Sequence, residues 1–382
     1  MRGAPPRVAL VYDAVYPFQK GGGERRFHEI GRHLRGVELY GMRGWPGGGR
    51  STMVDGVPVH GLCRARPLYT RQGRRSIPQA VIFGLACLKL LWKRFDVIDC
   101  CGFPYFSLFT CRFVATLRRK PLISTWHEVW GLAYWRTYLG RLGAVGWAVE
   151  RLAARLPDEV ITVSATTARR LRDELGYRGP IHVVPNGFDP VAVGRAGRAE
   201  PDAEVVFIGR LIAEKRVDLL IDAMARLAAD GVTVRCRIVG DGPERSALTA
   251  RTARHDLADR VMFTGTLAGG DEVLATIKAA RVLVLPSTRE GFGMVVLEAN
   301  ACGVPVITVR HPGNAAAELI EEDVTGWVVE PTVDAVAAAI RRAVEMPGDA
   351  DRIAAYVGRY AWPAVVAGHG LEAVYAPAAV RA

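Results

Sequence analysis

The chain has 382 residues, half of them hydrophobic, and a formal net charge of +11. This length is too great for one ordinary hydrophobic core and fits two domains. The seven cysteines are an odd set without Cys-x-x-Cys spacing, which excludes a disulfide or zinc framework and predicts reduced thiols in a cytoplasmic protein.

The charge is distributed unevenly along the chain. Residues 1–190 carry 29 Lys and Arg against 14 Asp and Glu, so the first half is the basic half. Such a field favours a polyanion, an anionic membrane surface or an acceptor that carries phosphate. An arginine-rich composition with solvated charges would also explain much of the excess. We expect no nucleic-acid partner, because no recognised binding module or interleaving of aromatic and basic residues is present.

Buried-strand patterns alternate with helix-length patterns through the first half of the chain. The alternation predicts a parallel sheet with helices on both faces. The strand patterns are Arg7–Tyr12, Val37–Tyr40, Val57–His60, Asp96–Asp99, Leu122–Thr125, Val160–Val163 and Ile181–Val184. After the first strand, the glycines at 21–23 lead into a helix predicted to begin near Glu24. This loop lacks the Gly-x-Gly-x-x-Gly spacing of dinucleotide-binding folds, although it could present backbone amides to an anion.

The longest apolar segment, Ile77–Trp92, is interrupted by Lys89 and is short for a bilayer span. The amino terminus lacks the features of a signal peptide, so we expect no transmembrane helix. Basic residues before this segment suggest a peripheral membrane face, whereas a core helix behind a solvated arginine loop is the commoner arrangement. These residues are Arg64, Arg66, Arg71, Arg74 and Arg75.

An aromatic segment, Thr125–Trp135, directly follows one predicted strand. The carboxyl ends of strands are where open α/β sheets bind ligands. His127 is therefore a candidate for polarising or proton-handling chemistry. A lone histidine in a structural role is the alternative.

Pro185–Pro190 is a turn cluster that continues into a polar segment. We place a linker over residues 185–200, which divides a first domain, 1–184, from a second domain, 201–359. The closing residues, 360–382, are predicted to form a helix that packs back on the first domain.

The second domain repeats the alternation, with strand patterns at Glu204–Ile208, Arg235–Val239, Val261–Phe263, Val282–Leu285 and Val304–Ile307. The first of these exits into a loop with two cations, Arg210 and Lys215, that could converge on a diphosphate. Gly240–Glu244 forms a further loop. Because these loops leave the carboxyl edge of one sheet, we expect them to share a pocket.

The most informative stretch is Pro286–Ile307, where a Glu-Gly-Phe-Gly loop precedes a helix predicted to start near Met294. The free amides at a helix start bind phosphate. Glu290 and Glu298 flank this point, and carboxylates accept hydrogen bonds from vicinal hydroxyls. The pattern indicates sugar or ribose on each side of a bound diphosphate, and an ordinary surface helix is the alternative.

Taken together, these motifs resemble the retaining GT-B glycosyltransferases of the glycosyltransferase family 4 type. The resemblance spans nearly the whole chain. It is carried by Gly21-Gly22-Gly23-Glu24, His127-Glu128, Val184-Pro185-Asn186-Gly187, Gly209-Arg210 with Lys215, Gly240-Asp241-Gly242-Pro243-Glu244, and the pair Glu290 and Glu298. It implies two Rossmann-like α/β domains facing across a cleft, with a nucleotide sugar held mostly by the second.

The resemblance also implies a role for each matched residue. The diphosphate would be held by Arg210 and Lys215 and by backbone amides of Phe292, Gly293 and Met294. The donor sugar would bind Glu290, the ribose Glu298 and the base the backbone near Leu267. His127 would lie beside the transferred sugar, and Gly22 and Gly23 near phosphate or acceptor.

The implied activity is retaining transfer of a sugar to an acceptor hydroxyl, without metal or other cofactor. A lipid-linked, polysaccharide or cell-envelope acceptor fits the basic first half of the chain. A soluble natural product, such as an aglycone or aminocyclitol, is the alternative acceptor. The cysteine usage and the basic first half predict a cytoplasmic protein with a peripheral position at the inner membrane face. Asp349 and Asp351 form the only Asp-x-Asp, which we interpret as a helix cap. A sugar phosphorylase, a nucleotide-sugar epimerase or a basic scaffold are the rival classes.

Overall fold

The computed structural model describes residues 5–19, 21–70, 74–346, 348–368 and 370–380. Two compact units are present: Met1–Asn186 together with Trp362–Ala382, and Gly187–Ala361. The chain therefore leaves the first unit once and returns to it. Arg71 of the basic stretch lies outside the described residues.

The first unit is built on an eight-stranded sheet in the order β3-β4-β2-β1-β5-β6-β7-β8. All pairs are parallel except β3 with β4. The strands are β1 (Val8–Val11), β2 (Val37–Arg43), β3 (Ser51–Val54), β4 (Val57–Arg64), β5 (Val97–Cys101), β6 (Leu122–Trp126), β7 (Glu159–Thr162) and β8 (Ile181–Val183). The helices are α1 (Gly22–His33), α2 (Ile77–Ala86), α3 (Phe106–Arg118), α4 (Gly131–Leu139), α5 (Gly143–Ala153) and α6 (Ala165–Asp173).

Every residue of β1 and of β5 is buried, as expected for parallel strands covered on both faces. Two hydrophobic clusters fill the spaces on the two sides of the sheet. The apolar segment 77–92 forms α2 followed by a 3-10 turn, Cys87–Trp92. Ser76 caps α2 by accepting from the Gln79 amide, and Pro78 suits the first turn.

The second unit has a six-stranded, wholly parallel sheet in the order β11-β10-β9-β12-β13-β14. Its strands are β9 (Val205–Ile208), β10 (Cys236–Val239), β11 (Val261–Gly265), β12 (Val282–Leu285), β13 (Val306–Val309) and β14 (Gly326–Val329). Its helices are α7 (Pro190–Arg195), α8 (Val217–Ala229), α9 (Arg245–Arg254), α10 (Gly270–Ala279), α11 (Met294–Ala301), α12 (Val333–Glu345) and α13 (Ala350–Val357). The strand order reverses between β9 and β12, and open sheets of this kind bind ligands at that point.

Two expectations from the sequence need adjustment in the second unit, and one strand was missed. The segment 185–200 is not a plain linker, because it contains α7, whose first turn is capped by Asp189. The last predicted strand is shifted to Val306–Val309, since Pro305 lies before it. One strand, β14, was not predicted. Asp349 caps α13 by accepting from the Arg352 amide at 3.1 Å, as predicted.

The chain closes in the first unit with α14 (Trp362–Gly368) and α15 (Leu371–Val380). Trp362 and Tyr375 are buried in the same cluster as residues of β1 and α1. The Tyr375 hydroxyl donates to Asp99 on β5 at 2.7 Å. The predicted return of the last helix to the first domain is confirmed.

All seven cysteines are free, and Cys100 and Cys101 are buried in β5. Among the described residues, no helix has the length and apolar character needed to span a bilayer.

Candidate functional site

The loops after β9 and β12 flank the point where the strand order of the second unit reverses. Lys215 and Glu290, one on each loop, form an ion pair whose side chains are largely buried. The backbones meet as well, because the Thr288 amide donates to the Glu214 carbonyl at 2.9 Å. Arg289 lies near the Glu214 carboxylate, with a closest distance of 3.9 Å. The structure thus joins two residues that the sequence assigned to one donor site.

The loop after β10 packs directly against the loop after β9. A Cβ atom on Gly240 would lie 1.9 Å from the Gly209 carbonyl oxygen, and Gly240 has a φ of +135°. Only glycine allows this approach. The Leu211 amide then donates to the Asp241 carbonyl at 2.9 Å. The expected grouping of these loops at one sheet edge is therefore present within the second unit.

Helix α11 begins beside this ion pair. Its N-cap residue, Gly293, has a φ of +95°, makes no side-chain cap, and the first turn contains no acidic residue. A Cβ there would lie 2.7 Å from the Ala316 Cβ, so the position requires glycine. The free amides of an uncapped helix start carry partial positive charge and can bind phosphate. Phe292 is buried, Met294 is half-buried, and Glu298 lies half-buried on the helix.

Backbone hydrogen bonds fix Glu290 to the loop after β13. Its amide donates to the Gly313 carbonyl at 2.9 Å, and its carbonyl accepts from the Ala315 amide at 2.9 Å. Asn314, between them, is buried and donates through its amide nitrogen to Thr308 Oγ1 (2.9 Å) and the Val309 carbonyl (2.8 Å). Sequence reasoning missed Asn314, although it follows a Pro-Gly pair at a strand end, where a turn residue with a side-chain amide is informative.

Ser287, on the same loop as Glu290, is also a residue that sequence reasoning missed. Its hydroxyl is buried and has no hydrogen-bond partner among the described residues. Arg210 lies exposed on the loop that carries Lys215, and Leu267 follows β11 as a half-buried residue. Neither of these two described residues forms a hydrogen bond or an ion pair with Glu290.

In the first unit, Gly22 and Gly23 form the first turn of α1 and are not part of the preceding loop. The predicted start near Glu24 is therefore late by two residues. Because α1 starts at Gly22, Gly23 lies against two side chains: a Cβ on it would be 3.2 Å from His127 Nε2 and 3.2 Å from the Tyr12 ring. The structure thus brings His127 next to the helix start that sequence reasoning assigned to phosphate or acceptor.

His127 follows β6, and its Nε2 is buried without a hydrogen-bond partner among the described residues. Burial, with a smaller contribution from the positive charge of Arg26, lowers the pKa of His127 to about 3. The imidazole is therefore neutral at physiological pH. A neutral ring beside a helix start can accept or donate one hydrogen bond without adding charge.

Arg26 of α1 is a buried cation that the sequence analysis did not identify. Its Nη1 donates to the Pro185 carbonyl (2.8 Å) and to Asn186 Oδ1 (2.9 Å). Burial lowers the pKa of Arg26 to about 10, while Tyr375 and Asp99 act in the opposite direction. The available signal was its position on the helix face that also carries Phe27 and Ile30.

Two units of this topology define the GT-B class of glycosyltransferases. The fold resembles that of the sucrose-phosphate synthase from Thermosynechococcus elongatus, with a TM-score of 0.75 and 20% sequence identity. The similarity covers 98% of this chain and 99% of that one. Residues 20–191 match the family described as Glycosyltransferase Family 4, and residues 193–359 match Glycosyl transferases group 1. The chain belongs to the glycosyltransferases of the family 4 type, as the sequence motifs predicted.

Several curated relatives are similar to this chain over part of its length. A glycogen synthase of Mycobacterium tuberculosis is 32% identical over 237 residues, which are 61% of this chain and 56% of the relative. A 2-deoxystreptamine glucosyltransferase of Streptomyces kanamyceticus is 36% identical over 175 residues, 42% of this chain and 44% of the relative. This chain therefore spans about half the length of the curated relatives it matches.

Proposed function

We propose that this protein is a retaining glycosyltransferase that moves a sugar from a nucleotide-diphosphate sugar to an acceptor hydroxyl. The observation that carries the proposal is the Lys215–Glu290 ion pair beside the uncapped start of α11. This arrangement offers a cation and backbone amides to a diphosphate and a carboxylate to sugar hydroxyls. These are the groups that a nucleotide sugar requires on the two sides of its scissile bond.

Departure of the nucleoside diphosphate builds negative charge on phosphate and positive charge on the sugar ring. In the proposed reaction, Lys215, Arg210 and the first amides of α11 stabilise the phosphate charge. No metal is required, because the two cations supply the positive charge. The backbone amides that bind the diphosphate are those of Phe292, Gly293 and Met294. Glu298 binds the ribose, and the backbone near Leu267 binds the base.

His127 is proposed to act beside the transferred sugar in its neutral form. The neutral imidazole of His127, or the backbone carbonyl of the same residue, stabilises the positive charge that develops on the sugar ring. Gly22 and Gly23 permit close approach of an anionic or acceptor group to the start of α1. The acceptor then attacks from the face that the diphosphate leaves, and the departing phosphate takes the proton of the acceptor hydroxyl.

Two substitutions of Glu290 test this mechanism. Glu290→Gln should keep a substantial rate because an amide still accepts and donates hydrogen bonds to hydroxyls, whereas Glu290→Ala should form no product. Both rates are measured by release of nucleoside diphosphate with the unmodified protein as reference. A covalent glycosyl adduct on Glu290, detected by mass spectrometry, would overturn front-face transfer and indicate double displacement.

The nucleotide requirement is tested by thermal shift with UDP, GDP, ADP and TDP. One matching base should stabilise the protein strongly, because a ligand that binds only the native state raises stability with its concentration relative to Kd. Activity in the presence of a chelator tests the proposal that no metal takes part. Absence of stabilisation by every nucleotide would contradict donor binding.

For the acceptor we propose a lipid-linked, polysaccharide or cell-envelope molecule, used by an enzyme that is cytoplasmic and peripheral at the inner membrane face. Support comes from exposed apolar side chains on α2, α3 and the 3-10 turn, within the basic half of the chain. These are Ile77, Leu85, Trp92, Phe113 and Leu117. The name of the first relative, glycogen synthase, agrees with a polysaccharide acceptor.

A soluble aminocyclitol or other natural product is the second candidate acceptor. The observation in its favour is the similarity to the 2-deoxystreptamine glucosyltransferase. Flotation with vesicles of phosphatidylglycerol and phosphatidylcholine separates the two proposals. Binding to these vesicles favours the membrane acceptor, and no binding together with transfer to a soluble aminocyclitol favours the second.

A further inference from the structure

A basic pocket of about 450 Å³ lies within the first unit and contains none of the residues assigned above to donor or sugar. It is formed by the carboxyl ends of β2 and β4, the start of β3 and the 3-10 turn Cys87–Trp92. Five cations line it: Arg43, Arg50, Arg64, Lys89 and Lys93. A volume of this size is that of an ordinary small-molecule site.

No carboxylate lines this pocket. Among the described residues, none of its five cations forms an ion pair with an acidic side chain. Two of the cations are held by backbone carbonyls instead: Arg43 Nη1 donates to Gly48 at 2.8 Å, and Lys89 Nζ donates to Leu62. Cations gathered without a counter-charge repel one another, so an anion bound among them is stabilised.

Glu38 lies behind the wall residue His60 and is not among the residues that line the pocket. Its single negative charge is outnumbered by the five cations, so the pocket stays positive. Glu38 Oε2 accepts from the Tyr40 hydroxyl at 2.6 Å and lies 3.0 Å from His60 Nε2. His60 Nδ1 is in turn 2.8 Å from Ser51 Oγ. Burial lowers the pKa of His60, so this ring is a neutral part of the wall and the arginines and lysines supply the charge.

The pocket also has an apolar rim. Trp92, which lines it, is 78% exposed. A ring so exposed next to several cations suits a ligand with a charged group and an apolar or sugar portion. Arginine forks bind phosphate oxygens in pairs, and lysine adds a point charge.

We propose that this pocket binds a phosphate ester, with the phosphate among the five cations and the rest of the ligand against Trp92. The phosphate could belong to a lipid headgroup or to a soluble phosphorylated molecule. Binding of the phosphate is independent of the transfer reaction. The additional step, that the bound ester anchors the acceptor, rests on the proposed function.

Cys63 provides a local readout, because it lines the pocket and is half-buried, while Cys302 of the second unit is the other cysteine that is not buried. Glycerol 3-phosphate should slow alkylation of Cys63, measured by peptide mass spectrometry, relative to sodium chloride of equal ionic strength. Alkylation of Cys302 should not change. Equal alkylation of Cys63 in both salts, with no protection by phosphatidylglycerol vesicles either, would overturn the proposal.

Charge reversal tests which residues hold the phosphate. The Arg50→Glu, Lys93→Glu double variant should raise the glycerol 3-phosphate concentration that gives half-protection by at least about tenfold, since hydrogen bonds to charged groups are lost. Arg172→Glu with Arg178→Glu is the matched control, with the same charge change at exposed positions of the same unit. Equal protection in both double variants would contradict the assignment.

Two further measurements identify the source of the phosphate and distinguish failure of the pocket proposal from failure of the proposed function. Protection by phosphatidylglycerol vesicles but not by glycerol 3-phosphate identifies a lipid headgroup, and protection by glycerol 3-phosphate identifies a soluble ester. In both cases phosphatidylcholine vesicles are the reference. Stabilisation by nucleoside diphosphate and hydrolysis of the donor should be unchanged in the Arg50→Glu, Lys93→Glu variant. Failure of nucleotide binding in the unmodified protein would refute the donor reaction and leave the pocket result standing.

Discussion

Replacing Lys215 by methionine should weaken the binding of nucleoside diphosphates, whereas replacing Glu290 by glutamine should preserve or strengthen it. The two side chains form an ion pair and are 17% and 12% exposed. In that pair the carboxylate competes with a diphosphate for one of the three ammonium donors. The two substitutions should therefore act in opposite directions, although each breaks the same ion pair.

The expected magnitude follows from the hydrogen bond that Lys215 would donate. A hydrogen bond to a charged group contributes about 1.5–3 kcal/mol, and a tenfold change in Kd corresponds to about 1.4 kcal/mol. Lys215→Met should therefore raise Kd by roughly 10- to 100-fold. The Lys215→Met, Glu290→Gln double variant should bind nucleoside diphosphate at least as tightly as Lys215→Met, because it also removes a negative charge beside the phosphates.

Titration calorimetry with the base selected by thermal shift measures these affinities. Arg254→Met, which removes an exposed cation from the same unit, is the control and should leave Kd unchanged. For the nucleotide sugar, Glu290→Gln should weaken binding, since hydroxyl contacts are altered. The reasoning is refuted if Lys215→Met binds nucleoside diphosphate as the unmodified protein does, or if Glu290→Gln loses as much affinity as Lys215→Met.

Three further predictions concern backbone, core and charge. Gly293→Ala should lower the free energy of unfolding by about 1–3 kcal/mol and weaken nucleotide binding, because φ is +95° and the new Cβ would meet Ala316. Tyr375→Phe should lower the free energy of unfolding by about 1–3 kcal/mol, because the buried Asp99 carboxylate loses a hydrogen-bond donor. Burial lowers the pKa of His127 from 6.5 to about 3, so the unfolded chain takes up that proton first and stability falls from about pH 6.5 toward pH 3. His127→Gln should therefore reduce the stability difference between pH 7 and pH 5.5 by roughly 1 kcal/mol.

Urea unfolding measures all three effects against controls of the same chemical change. Gly269→Ala places a Cβ in open space and should be nearly neutral. Tyr69→Phe alters an exposed residue and should change stability little. His311→Gln, at an exposed loop position, is the control for the loss of an imidazole ring. If Gly293→Ala is as stable as Gly269→Ala, the strain assigned to Gly293 is contradicted. If NMR shows that the His127 ring takes up a proton between pH 8 and pH 5, its burial in neutral form is contradicted.

The parallel strands of the two sheets could be predicted from sequence because most of them are short apolar segments that contain at least two Val, Ile or Leu residues. Strand β3 was missed, since its residues alternate between exposed and half-buried. A local signal existed: Asp55-Gly56, both with positive φ, is a common hairpin turn. Strand β14 contains Gly326 at φ +152°, whose missing side chain allows close approach to Val306 and weakens the strand pattern.

The second-unit loops were identified from their charges and glycines, whose spacing is local. The residues that hold them in place are distant in sequence and were not visible. Asn314 supports Glu290 through backbone pairing, and Arg26 lowers the pKa of His127 from another element. Among the described residues, Arg26 forms no ion pair with a carboxylate, and a buried cation of this kind conflicts with the usual preference for exposed charge. Such a residue becomes recognisable only when its hydrogen-bond acceptors, here Pro185 and Asn186, are located.

The return of the chain to its first unit has a consequence for biosynthesis. The second unit, Gly187–Ala361, leaves the ribosome between the two parts of the first unit. At about 5–20 residues per second, this interval lasts roughly 10 to 35 s. Throughout it, the nascent first domain has Asp99 without Tyr375 and a hydrophobic surface without Trp362. The domain translated first is therefore completed last, and the final helices act as the closing segment of its core.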